Sequence, residues 1–502
     1  AYKAGQSLAQ LKDAASSASK LAENANVSAT ITYGEQKNID ESTSQSSSAS
    51  QSKVYAGGKT TIVATGAGDQ SNINIIGSDV LGVKGTTLAA DHDVNIKAAE
   101  QNSSEQSKNS SQGWNAGVAV SYGKDGFAFG VTAGGNVGKG KGNGDDTSYV
   151  NSHVGSKDSQ TTITSGNATN IIGGQVQGKG VNITAKELNV ESLQDTATYK
   201  SKQQNVEGQV TVGYGFSASG SFSKSNINAN YASVNEQSGV FAGDDGYRIK
   251  VDKNTDLKGA LITSTQKAED LGKNRLETGT LTHSDIQNIS EYNAKGIGIS
   301  GGFSIQGDKP NAKEGSATKP ESSQSGFNKN VTGYNPENST NKSAGFGSDS
   351  ANDKSTTHSG INTQHIIIKD EQAQQQLTGK SAEQTKQNIL TQVTTDNARE
   401  HSGALANNFD KEKVLKEINV QVKVTKDFRD NSLSLVNEFT TTKQAELREK
   451  IKNAKSEEEK TEKTKKLRKE LMVLSPGNLH KEIEKKYELT DHINKIFDLY
   501  NS

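Results

Sequence analysis

The chain has no cysteine, one methionine, one tryptophan and four prolines in 502 residues. Without cysteine, disulfide frameworks and thiolate metal sites are excluded. No window approaches eighteen consecutive apolar residues, so no transmembrane helix is expected. Neither sign of charge is in excess: 57 basic against 58 acidic residues give a net charge of -1. That balance implies no overall electrostatic pull toward nucleic acid or membrane. Hydrophobic residues make up 30% and aromatics 5% of the chain. A compact globule of this length needs more, whereas a solenoid needs less, because each coil fills a narrow interior. The opening Ala1-Tyr-Lys shows no signal-peptide pattern, so a piece of a longer product is expected.

What is abundant is glycine, with 50 residues. It occurs without a three-residue period, which suits tight turns between many short strands. A glycine-tyrosine strand recurs as Ala29-Thr-Ile-Thr-Tyr-Gly34, Gly117-Val-Ala-Val-Ser-Tyr-Gly123 and Gln209-Val-Thr-Val-Gly-Tyr-Gly215, then degenerates to Gly296-Ile-Gly-Ile-Ser-Gly-Gly302. Copies roughly 90 residues apart signal a repeat array. Between copies lie polar tracts such as Glu41 to Ser52, then short apolar strands with glycine corners, as in Asn72-Ile-Asn-Ile-Ile-Gly and Asn170-Ile-Ile-Gly-Gly. Such strands predict a right-handed parallel β-helix, with Val, Ile and Leu stacked between coils and Asn laddered at corners. An antiparallel sandwich is the competing fold, but hairpin dipeptides are rare between these strands.

The expected organisation is an N-terminal helical cap over 1–26 and a β-helix array over 27–308. A flexible linker over 309–359 and a mostly α-helical region over 360–502 follow. Three of the four prolines fall in the linker. Gly134 to Asp146, almost all glycine and polar residues, reads as a flexible loop. Val414, Ile418, Val422 and Phe428 mark one face of a C-terminal helix. Tyr33, Tyr122 and Tyr214 are expected to form a stacked row along the array.

Chemistry is mostly missing. The eight histidines show no metal-ligand spacing. Gly58-Lys-Thr60 and Gly379-Lys-Ser381 lack the upstream glycine of a phosphate loop, having Lys53 and Gln374 there. Gly296 to Gly301 matches G-x-G-x-x-G without a following helix, so dinucleotide binding is rejected. Lys460 to Lys469 are interleaved with glutamates, which argues for a solvated helix rather than a nucleic-acid site. No catalytic, cofactor or metal residue is assigned, and no enzyme is expected. The better hint is alternation with terminal aromatics in 113–133 and 209–222, the way membrane hairpins read. Trp114, Tyr122, Phe127, Phe129, Tyr214, Phe216 and Phe222 are the candidate membrane or partner contacts, on antiparallel hairpins projecting from the array. The competing reading makes these hairpins extra sheets flanking the solenoid.

Several stretches carry a family resemblance. Gly113-Trp-Asn-Ala-Gly-Val-Ala-Val-Ser-Tyr-Gly123, the block from His153 to Gly174, Gly180-Val-Asn-Ile-Thr-Ala185 and Gln209 to Gly215 resemble the repeat region of filamentous haemagglutinins and CdiA-like contact-dependent growth inhibition exoproteins. Asp370 to Lys380 and Asn408 to Val414 resemble the pre-toxin stretch after those repeats. The resemblance implies two-partner secretion and a cell-surface location on a Gram-negative bacterium, with periplasmic retention before delivery. It implies a role in carrying a C-terminal toxin across a target cell's outer membrane. The implied partners are an outer-membrane transporter, a target membrane or receptor, and an immunity protein for the toxin. The Val-Glu-Asn-Asn boundary motif of the family does not occur. An adhesin stalk is the alternative, and a helical nuclease within 400–502 ranks last for want of a catalytic cluster.

Overall fold

A computed structural model describes residues 27–123, 126–213, 215–306, 338–423 and 425, with backbone alone for 27–31, 119–123, 126–129, 339 and 341. The described chain is mainly β and builds two kinds of sheet.

The first kind is parallel. Short strands follow one another in circuits of three, beginning with Ser52–Ala56, Thr60–Ala64 and Ile73–Ile76, then Ser78–Gly82, Thr86–Ala90 and Val94–Lys97. Each strand pairs in parallel with its counterpart in the next circuit, giving three ladders. Along the first ladder the register stacks Val80, Val154, Val176, Val240, Ile262 and Ile361. Along the second it stacks Leu88, Ile163, Ile183, Ile249, Leu276 and Ile366. On the third, Ile75, Ile96, Ile171, Val190 and Leu257 align. All are buried and join one core. The narrow interior explains how so few hydrophobic residues suffice: every second residue of a short strand is enough to fill it.

Corner chemistry repeats as well. Gly77, Gly173 and Gly259 occupy the same corner, between a third-ladder strand and the next circuit, with φ of 53°, 66° and 55°. That left-handed backbone favours glycine. A side chain there would also strike Ala99, Ala98 with Leu193, or Ile286. The asparagines expected at corners stand instead mid-strand on the third ladder. Asn95 donates to Asn74 at 2.9 Å, Asn170 to Asn95 at 2.8 Å and Asn189 to Asn170 at 2.8 Å. A stacked carboxamide can donate to one neighbour and accept from the other, so the row is self-satisfying.

The second kind is antiparallel and much larger in reach. After every two circuits the chain leaves the third ladder and makes a hairpin. The first is Ala99–Gly123 with Gly126–Val150, the second Asp195–Val212 with Phe216–Ser233, the third Ile286–Ile305 with Ser339–Thr357. Val27–Ser47 flanks the first hairpin, and all seven strands form one sheet. Strands of 18 to 25 residues extend about 60–85 Å at about 3.4 Å per residue. The 90-residue sequence period is therefore two circuits plus one hairpin. All four glycine-strand copies lie in the half of this sheet far from the ladders.

Three expectations change. Gly134 to Asp146 is not a loop but part of Gly126–Val150, paired on both sides. Its glycines leave room for neighbours: a side chain at Gly138 would meet Asn205 and Ser111, and one at Gly140 would meet Asn109. The segment expected as linker contains the paired strand Ser339–Thr357, while 307–337 lies outside the described residues. The polar tract from Glu41 belongs to Val27–Ser47. In each case partner strands supply the order that the composition alone does not.

Past the third hairpin, Gly360–Ile361 and Ile366–Ile368 add the last members of the first and second ladders. Two short helices, Glu371–Thr378 and Ala382–Ile389, then close the end. The buried Gln374 accepts from the Leu281 N–H at 2.7 Å and donates to the Leu281 carbonyl at 2.9 Å, standing in for the next strand of the third ladder. The expected cap at 1–26 and the helices beyond 425 lie outside the described residues.

Candidate functional site

In a strand, alternate residues share a face, and register partners across strands share it too. Following the pairing across the seven strands divides the far half of the antiparallel sheet into two unlike faces. One face carries the row Val118, Val131, Val212, Phe216 and Ile305. Next comes Tyr33, Ala116, Ala133, Val210, Ala218 and Phe303. Then Trp114 shares a row with Gly135, Gly208, Gly220 and Gly301. Val137, Val206, Phe222, Ile299 and Ala344 form the fourth row. Ile39, Ile297 and Phe346 extend the pattern into a fifth.

This apolar face is the exposed one. Tyr33 is 80% and Trp114 52% accessible, and Val131, Val137, Val206, Val212, Phe303 and Phe346 are exposed too. Tyr33 meets Trp114 edge-on, with ring centroids 6.4 Å apart. Phe216 packs against Phe303 at 5.6 Å.

The opposite face is small and polar, and it is the buried one. Thr132 is fully buried and Thr211 and Ser343 nearly so. Thr132 accepts from Gln209 at 2.9 Å and from Thr211 at 3.1 Å, and Ser300 and Ser343 share a hydrogen bond of 2.6 Å. Glycines 138, 140, 345 and 347 are buried on this side. Nearer the ladders this face turns apolar, with Ile227, Ala294, Tyr199 and Tyr292. There a helix over 411–423 lies on it, burying Val414 and Ile418. Phe409 stacks on Tyr199 at 5.3 Å, and Lys411 pairs with Glu105 at 3.1 Å above the Tyr199 ring. Phe428 of the expected stripe lies outside the described residues.

Of the sequence candidates, Trp114, Phe216 and Phe222 fall on the apolar face. Tyr122 and Phe127 are register partners beside the first hairpin's turn, and Phe129 pairs with Val120. Tyr214 lies outside the described residues. The expected tyrosine row is not formed in register: Tyr33 partners Ala116, whereas Tyr122 partners Val27. Sequence reading missed Val131, Val137, Val206, Ile299, Phe303 and Phe346. Their signal was the period-2 alternation, diluted by Gly, Ser and Lys.

Among the described residues no group of three or more acidic or histidine side chains could hold a metal ion. No described helix is long and apolar enough to cross a membrane. A cleft of about 450 Å³ opens between the polar sheet face and the strap at 407–411, lined by Glu105, Asp146, Tyr199 and Lys411. Burial and the nearby Asp145 and Glu105 push the Asp146 carboxyl upward.

One ionic cluster ties circuits together. His153 donates through Nδ1 to Asp79 at 2.8 Å and through Nε2 to Glu236 at 2.6 Å. The Glu236 bond, opposed by burial and helped by Asp79, raises the imidazolium to a pKa of about 9. A raised pKa stabilises the fold fully below pH 6.5, the ordinary histidine value, and the contribution is lost as pH climbs through 9. We expect about 1–2 kcal/mol to disappear over that window after solvent screening. Urea titrations at pH 6 and pH 10 should show the loss in wild type and not in His153→Gln; equal slopes in both proteins would exclude it.

Comparison with known proteins bears on this geometry. Residues 33–206 match the family model described as Hemagglutinin repeat. The chain is 39% identical to the tRNA nuclease CdiA of Yersinia mollaretii over 52% of its own length. The chain contains a CdiA-like haemagglutinin-repeat region. It is also 30% identical to the Toxin CdiA of Escherichia coli over 79% of the chain, and 32% identical to the Deoxyribonuclease CdiA of Dickeya dadantii over 78%. It spans 9%, 12% and 11% of these three relatives, in the order given. No solved structure matches. The repeat match begins at Tyr33 and ends at Val206, so it takes in the first hairpin and most of the next strand along with four circuits. The antiparallel strands therefore belong to the repeat as much as the ladders do.

Proposed function

We propose that this haemagglutinin-repeat region is a non-catalytic delivery segment. It belongs to a longer exoprotein and helps carry a C-terminal toxin across a target cell's outer membrane. In this reading the circuits are the coils of a right-handed parallel β-helix that holds the antiparallel sheet in place. Export through an outer-membrane transporter, a surface location and an immunity protein for the toxin belong to the same reading. The observation that carries it is the inverted polarity of the sheet: apolar side chains face outward and Thr, Ser and Gly are buried. In water this arrangement is costly, at about 25 cal/mol per Å² of apolar surface left exposed. In a bilayer the apolar rows are stable, as on membrane barrels, once the edge strands Val27–Ser47 and Ser339–Thr357 are paired. Four rows, apolar or glycine except for Gln112 and for Glu35, Lys37, Thr340 and Lys342 on the edge strands, span about 20 Å, and a mixed fifth brings this to about 27 Å, close to the apolar band of about 25 Å on such barrels.

The test is flotation of the full chain with phosphatidylcholine vesicles. Val206, Phe222 and Ile299 are register partners in one exposed row. Changing all three to Asp places three carboxylates inside the band one row from its lysine border, each costing less than the ~2.5–3.5 kcal/mol of the hydrocarbon centre. Vesicle association should fall at least a hundredfold, with far-UV circular dichroism unchanged because the row is on the surface. Undiminished association would end the membrane reading. Cell attachment that survives the triple change would favour the adhesin alternative.

A further inference from the structure

Directly beneath the apolar rows lies a row rich in lysine. Lys108, Lys141 and Lys202 are successive register partners on three adjacent strands. After Asn226 the same row reaches Lys295. Lys139 and Lys224 stand on the same face within the fifth row, between Ile39 and Ile297. None of the six makes an ion pair or side-chain hydrogen bond to any described residue. Glu41 is the register partner of Lys108 on the edge strand and makes no ion pair with it.

Adjacent strands are about 4.8 Å apart, and like charges directly opposite one another destabilise a sheet. The chain as a whole is almost neutral, at -1, so this clustering is local. Some surface lysines elsewhere pair with acids, as Lys258 with Glu191 at 2.7 Å and Lys267 with Asp244 at 2.8 Å, and others such as Lys84 and Lys97 stand singly among the described residues, so what sets this row apart is its alignment. A row of aligned ammonium groups bordering an apolar band offers a site for anions from outside the chain.

We infer that this row binds the phosphate groups of anionic lipids at the surface of the membrane that receives the apolar band, which fixes how deep the sheet sits. The inference rests on the membrane reading above and names the lipid class. Charge complementarity selects the occupant. A bilayer offers hydrocarbon to the apolar rows and, at one level beside it, a plane of phosphates to the lysines. A second copy of this sheet would cover the apolar rows but brings no such layer of negative charge.

The experiment compares full-length chain on pure phosphatidylcholine vesicles with vesicles containing 30% phosphatidylglycerol. Wild type should bind the anionic vesicles at least a hundredfold more tightly, and the preference should vanish by 0.5 M salt. Lys108→Gln, Lys141→Gln and Lys202→Gln together should cut the preference by about a hundredfold, at about fivefold per lysine. Binding to neutral vesicles should stay unchanged. The three lysine-to-arginine changes should restore the preference, which separates charge from damage to the fold. Equal binding to both vesicle types, with neutral binding intact, would overturn the lysine inference and leave the membrane reading standing. Failure to bind either type, with sedimentation showing a sheet-to-sheet dimer, would overturn both.

Discussion

Ile171→Ala is expected to lower the stability of the ladder core by about 3–4 kcal/mol, and Ile171→Asp to prevent that core from forming. Ile171 is fully buried on the third ladder, between Ile96 on one circuit and Val190 on the next. Truncation removes transfer energy and leaves a cavity, which together cost about 2–5 kcal/mol for isoleucine to alanine. Collapse around the cavity is restricted because parallel pairing on both sides holds the strand spacing. An aspartate would be a buried charge with no partner, which is worse than a cavity. The control is Ile76→Ala, on the same ladder but exposed. Its cost should stay within about 0.5 kcal/mol. Urea denaturation followed by circular dichroism, with hydrogen exchange to locate the opening, measures both. Each repeat contacts only its neighbours, so lost protection should centre on the circuits carrying Ile96, Ile171 and Val190. A change below 1 kcal/mol for Ile171→Ala would mean that this interior is not a packed core.

The ladders were the legible part of the sequence. Ile73-Asn-Ile, Val94-Asn-Ile and Leu188-Asn-Val each carry two inward apolar residues around a polar one, and that period survives in a short window. The glycine after Ile76 and the one after Ile172 mark a corner that needs a left-handed residue. The long strands were not legible. Lys139-Gly-Lys-Gly-Asn-Gly has the composition of a linker, and nothing local orders it. What orders it is pairing along its whole length with Ser103–Ser111 and Thr198–Asn205. Ser, Gly and Asn are poor strand formers by propensity, but propensity in sheets is mostly neighbour packing. The candidate surface was half legible. Aromatics at strand ends drew attention to Trp114, Phe216 and Phe222. The rows that join them to Ile299 and Phe346 depend on register between strands far apart in sequence, as between Phe222 and Ile299 across 77 residues. The His153 cluster likewise joins Asp79 and Glu236 across 74 and 83 residues, and no local pattern announces it.

Gly296→Val is expected to release the helix over 411–423 from the sheet. Gly296 and Gly298 point to the polar face while Ile297 and Ile299 point to the apolar one, which gives the rejected G-x-G-x-x-G match a packing role. A side chain at Gly296 would run into Ile418 and Val422, and one at Gly347 on the next strand would meet Ile418 and Gln421. The helix therefore sits in a groove made by absent side chains. Its departure exposes Val414 and Ile418, each buried to within 2% and each worth about 1.5–3 kcal/mol, so the docked helix loses about 3–6 kcal/mol. The edge strand Ser339–Thr357 would lose partners as well. Its Phe346 N–H donates to Thr425 Oγ1 at 2.9 Å and its Ser348 N–H to Gln421 Oε1 at 2.8 Å. Stripped of these, the strand presents open donors to any other strand it meets. Limited proteolysis of the full chain should cut within 405–425 at least a hundredfold faster in Gly296→Val than in wild type. Ile297→Val, which alters the opposite face, should leave that rate unchanged. If the helix stays protected in Gly296→Val, the glycine groove is not what seats it, and the contacts of Phe409 with Tyr199 and Tyr292 must hold it instead.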